Sequence, residues 1–93
     1  MSAEDRFQQV AEDFKLHDEI LVVVTDDDGA GEPVAIAFYR PQPAAPHVEE
    51  YGPNAVDDTL DFAKAKAAEL GRKVVVQLNA EGVWWPHWGT LTE

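Results

Sequence analysis

The 93 residues carry 18 Asp and Glu against 7 Lys and Arg, a formal charge of −11, and are 45% hydrophobic, enough for one thin core and a single domain over residues 1–93. A field of that sign repels phosphate backbones and anionic lipid headgroups, so neither direct nucleic-acid binding nor membrane association is expected. The chain has no Cys, which removes disulfides, thiol nucleophiles and thiolate zinc sites; the apolar run Ile20 to Val24 is far too short to span a bilayer, and a cytoplasmic protein is expected.

Ser2 followed by Asp5 resembles a capping box, and Phe7, Val10, Ala11 and Phe14 recur at helical spacing, which predicts a helix over residues 3–16. The β-branched run Ile20-Leu-Val-Val-Val24 lacks polar alternation and suits a central strand covered on both faces. Asp26 to Pro33 is dense in turn formers, and Val34, Ile36 and Phe38 then alternate with Ala35, Ala37 and Tyr39, so a β-hairpin is expected. Pro41, Pro43 and Pro46 make residues 40–47 an extended connection. Val48 to Tyr51 adds a short edge strand before Gly52-Pro53 breaks the chain.

A second helix is capped by Asn54 or Asp57, aligns Val56, Leu60, Ala63, Ala67 and Leu70 on one side, and stops at Gly71. Lys73 to Asn79, the turn Ala80 to Gly82 and Val83 to Trp88 predict a second hairpin. The expected fold is therefore α+β in the order α-β-β-α-β-β, a four-stranded, mainly antiparallel sheet with two helices packed on one face.

All three tryptophans fall between Gly82 and Thr92. On a strand, Trp84 and Trp88 point to one side and Val83, Trp85 and His87 to the other, while Pro86 cannot donate to a ladder and places the strand at an edge. With helices on one face only, at least one indole is left for a contact. The expected binding surface comprises Trp84, Trp85, Trp88 and His87, with Phe38 and Tyr39 as neighbours.

Other motifs fall short of a chemistry. Asp26, Asp28 and Gly31 occupy calcium-loop positions, but Ala30 and Ala37 stand where ligands are needed. Gly29 and Gly31 start a dinucleotide fingerprint that Val34 and Pro33 interrupt. Arg40, Pro43 and Pro46 fit a loose polyproline-ligand pattern, and His17, His47 and His87 lack metal-site spacing. Ser2 is the only Ser and sits in the cap; no metal, cofactor or catalytic group is expected, with His87 the one candidate for acid or base work.

These features point to a small acidic cytosolic interaction module, homodimeric through an aromatic sheet face or edge and without catalysis. Two alternatives stand beside it. One is an acidic inhibitor or immunity-type protein that blocks a basic partner by mimicking nucleic-acid charge, against which Lys64, Lys66, Arg72 and Lys73 interrupt the carboxylates. The other is a small-ligand-binding domain with an aromatic wall.

Overall fold

Branched and aromatic side chains pack well on a pleated surface, and the Val-, Ile- and Phe-containing runs accordingly take strand positions, while the alanine-rich run takes a helix. The structure is a computed structural model that describes residues 6–16, 18–26, 32–41, 46–79, 83–84 and 88–92. In chain order the elements are β1 (Arg6–Val10), β2 (Ile20–Asp26), β3 (Pro33–Tyr39), β4 (Glu49–Ala55), α1 (Val56–Leu70), β5 (Val74–Leu78) and β6 (Thr90–Thr92). They join one sheet in the order β4-β3-β2-β5-β1-β6. β3 is antiparallel to β2 and β4, whereas β2, β5, β1 and β6 pair in parallel.

The class remains α+β, but a six-stranded mixed sheet and a single helix among the described residues overturn the expected four-stranded, mainly antiparallel sheet with two helices. Residues 6–10, expected to be helical, form β1 between β5 and β6. Of the helical stripe Phe7, Val10, Ala11 and Phe14, only Phe7 is fully buried. Ladder partners on both sides satisfy the backbone of β1, and such non-local pairing outweighs a local period whose propensity contributes only tenths of a kcal/mol per residue, about 0.5. The capping box at Ser2 and Asp5 lies outside the described residues.

The second hairpin is also overturned. After β5 the chain does not fold back beside it; Val83 and Trp84 belong to no strand, and the last strand, Thr90–Thr92, lies on the far side of β1, in parallel with it. Val83 and Trp88 are instead buried in the core cluster. The turn Ala80 to Gly82 and Pro86 lie outside the described residues.

Gly52-Pro53, expected to break the chain, instead lies within β4. Gly52 has φ +118°, and a Cβ there would stand 2.7 Å from the Ala35 carbonyl oxygen, at the register shift between Ala35 and Ala37. Only glycine fits that approach.

The helix keeps its expected face and stop. Val56, Leu60, Ala63 and Ala67 are buried, and Gly71 ends it at φ 67° with its N–H donating to the Ala67 carbonyl. Its N-cap is Ala55, without a side-chain bond, so neither Asn54 nor Asp57 caps it. The buried Thr59 hydroxyl instead ties helix to sheet, its proton shared between the carbonyls of Ala55 and Ala35 at 3.1 Å each. No helix among the described residues is long and apolar enough to cross a membrane.

Parallel crossovers are nearly always right-handed, and this assigns the connections to faces. Those from β4 to β5, through α1, and from β5 to β6 travel the same way across the sheet and share a face. That from β1 to β2 travels the opposite way and therefore crosses β5 on the other side. The burial agrees: Val83, Trp88 and Phe7 join the cluster under α1, whereas Val75, on the opposite side of β5, is only 1% exposed and lies outside that cluster.

Candidate functional site

Strand alternation splits β3 into two unlike faces. Ala35 and Ala37 point at α1 and are fully buried, their small side chains letting Ala63 and Leu60 come close. Val34, Ile36 and Phe38 point away, where they remain half-buried. Across the ladder Phe38 stands opposite Leu21, Ile36 opposite Val23 and Val34 opposite Thr25. The bulkier apolar side chains of the hairpin therefore occupy the face that no described helix or strand covers. On this face β2 and β3 carry no charged side chain; Glu50 of β4, opposite Phe38, stands at the flank.

The residues expected to form one aromatic surface are distributed over three places. Phe38 is on the open face. Tyr39 is on the α1 side, its ring 5.8 Å from that of Phe62, which in turn stacks on Tyr51 at 4.0 Å. Lys66 Nζ lies 5.5 Å from the Tyr39 ring and pairs with Glu69 at 3.1 Å. The hydrogen bond to Glu69 holds the Lys66 ammonium above its ordinary pKa against the opposing effect of desolvation, with the charge of Glu69 adding to it.

Trp84 and Trp88 form the third group. Their rings meet edge to face at 5.4 Å, Trp84 meets Phe7 in the same manner at 6.0 Å, and Trp84 Nε1 donates to the Gly89 carbonyl at 3.0 Å. Trp88 is 3% exposed, and Trp84 is half-buried. These two indoles thus close the end of the core beyond α1. Trp85 and His87 lie outside the described residues.

Sequence reasoning missed Val23, Val34 and Ile36 as surface residues. The large-small alternation of β3 carried the signal, since alanines mark the side a helix approaches closely. The two sheet edges are poor contact sites by comparison. β4 contains Pro53, a bulge and the carboxylates Glu49 and Glu50, and β6 is three residues long, all of which discourage strand addition.

Among the described residues no group of three His, Cys, Asp or Glu side chains is placed to hold a metal ion. His47 approaches Glu49 at 3.7 Å, but both are well exposed, without the desolvation that acid–base chemistry requires. No family model, curated protein or solved structure is similar enough to this chain to count as a match.

Proposed function

We propose that this chain is a small acidic, non-catalytic interaction module of the cytoplasm, and that it pairs with a second copy of itself through the open face of β2 and β3. The observation that carries this reading is the uncharged apolar block of Val23, Val34, Ile36 and Phe38 on the side of the sheet away from α1. In a chain with a net charge of −11, a face with no carboxylate at its centre is where two like copies approach at least electrostatic cost. Self-association also matches apolar surface with apolar surface, as a two-fold contact must.

Size sets the strength. At about 3.3 Å per residue and about 4.8 Å between strands, the two seven-residue strands cover about 23 by 10 Å, roughly 220 Å² in plan. That is well below the ~800 Å² each partner gives to a standard interface, so the dimer is transient. Size-exclusion chromatography with light scattering over a dilution series tests it: the mass rises from monomer towards dimer with concentration. A monomer throughout, up to about 1 mM, overturns the reading.

A further inference from the structure

The open face is bounded differently on its two sides. The order β4-β3-β2-β5 leaves the bare margin of β4 on one side and sets β5 on the other. β5 is roofed: Val75, the ladder neighbour of Leu21 on this face, is 1% exposed although it lies outside the core under α1. The roof is the connection from β1 to β2, which right-handedness carries across β5 on this side. That connection turns where the Phe14 N–H donates to the Ala11 carbonyl at 3.0 Å, and it holds Phe14 and Leu16 half-buried. Leu21, near the foot of β2 where the connection descends, is buried as well. What stays open is a floor of β4, β3 and β2 centred on β3, with a wall along one side only.

Three rows of side chains cross this floor. Ala55, Val34 and Thr25 form the first, Ile36 and Val23 the second, and Glu50, Phe38 and Leu21 the third. At about 3.3 Å per residue, Val34 and Phe38 stand about 13 Å apart along β3.

We infer that two copies pair about a two-fold axis running along β3, so that each residue of β3 meets its own counterpart. The inference rests on the pairing proposed above and adds its geometry. A two-fold axis relating two stacked faces lies in the plane between them, and it runs either across the strands or along them. An axis across the strands leaves β5 over β5 and sets wall upon wall. Each wall is one layer of chain, so the sheets would stand about 20 Å apart at β5 instead of the ~10 Å at which sheet faces pack. An axis along β3 exchanges the two sides. Each wall then falls at the bare margin of the other copy's β4, and the two floors close at the ordinary spacing.

In that arrangement Val34 lies over Val34 and Phe38 over Phe38, while Thr25 of each copy lies over Ala55 of the other. The contact is also closed. Two walls, one on each side, enclose the paired floors, so a third copy finds no open face and association stops at the dimer.

Cross-linking tests the axis, because the chain has no Cys and a single introduced thiol reports one contact. Val34→Cys, and a mixture of Thr25→Cys with Ala55→Cys, are treated with a short bis-maleimide at a concentration where sedimentation shows the dimer. Ala65→Cys, exposed on α1, controls for random collision. Val34→Cys is expected to link to itself, and Thr25→Cys to Ala55→Cys, each at least about tenfold faster than the control. An axis across the strands through Ile36 would part the two Val34 positions by about 13 Å along the strands, and Val34→Cys would link to Phe38→Cys instead. That pattern, or control-level rates in variants that still sediment as dimers, overturns the axis and leaves the pairing standing. A wild-type chain that never dimerises removes both.

Discussion

Phe38 and Tyr39 are neighbours in β3 that face opposite sides of the sheet, Tyr39 against Phe62 beneath α1 and Phe38 on the open face beside Glu50. The two rings therefore stand in different surroundings, one packed beneath α1 and one on the face proposed to pair. Tyr39→Ala is expected to cost about 1–2 kcal/mol of stability, since it removes a half-buried ring and its aromatic contact. Urea unfolding at low protein concentration measures this; Phe38→Lys should change the midpoint there much less.

At the other end of the core, Trp84 donates to the Gly89 carbonyl and leans on both Phe7 and Trp88. Trp84→Phe retains much of the ring packing but loses the N–H donor, and should cost about 1 kcal/mol. Trp88→Ala empties a buried site and should cost about 3–5 kcal/mol, a large share of the stability of a small domain. Thermal unfolding followed by far-UV circular dichroism ranks the two.

Gly52 and Gly71 both have positive φ, yet they differ in surroundings. A Cβ at Gly52 meets the Ala35 carbonyl, whereas one at Gly71 meets nothing within 4 Å. Gly71→Ala should cost only the left-handed backbone penalty, about 1 kcal/mol, and Gly52→Ala about 2 kcal/mol or more because β4 must also move from β3. Chemical denaturation of both variants tests the order, and equal losses would show that the close approach is unimportant.

Salt separates self-association from capture of a basic partner. Each copy carries −11, so raising the salt concentration screens their mutual repulsion and should strengthen pairing through an uncharged face. A contact with a cationic protein would weaken instead. Light scattering at fixed protein concentration and increasing sodium chloride reads the direction.

Part of this architecture was legible in the sequence. The β2–β3 hairpin followed from its turn formers and alternation, and the helix up to Gly71 from its spacing and its stop. β1 was hidden because Phe7, Val10, Ala11 and Phe14 fit a helical period, and its strand conformation depends on partners some 65 to 85 residues away, such as Val75 for Gln8 and Leu91 for Phe7. β6 was hidden because Val83 to Trp88 resembled a strand more than Thr90 to Thr92 did. Parallel pairing leaves no local turn signature, so the position of β1 between β5 and β6 had no marker. For the contact surface, the indoles attracted notice by size, whereas the alanines opposite Ile36 and Phe38 in the alternation held the more useful information.

Two copies are proposed to meet through the face bearing Phe38. Sedimentation equilibrium of the wild-type chain and of Phe38→Lys, from about 10 μM to about 1 mM, tests it most directly. Lysine reduces the net negative charge and so eases the general repulsion, while burying a charge at the proposed contact. The expected result is a concentration-dependent monomer–dimer equilibrium for the wild type and a folded monomer at every concentration for Phe38→Lys. A wild-type chain that stays monomeric, or a variant that dimerises as well as the wild type, would contradict it.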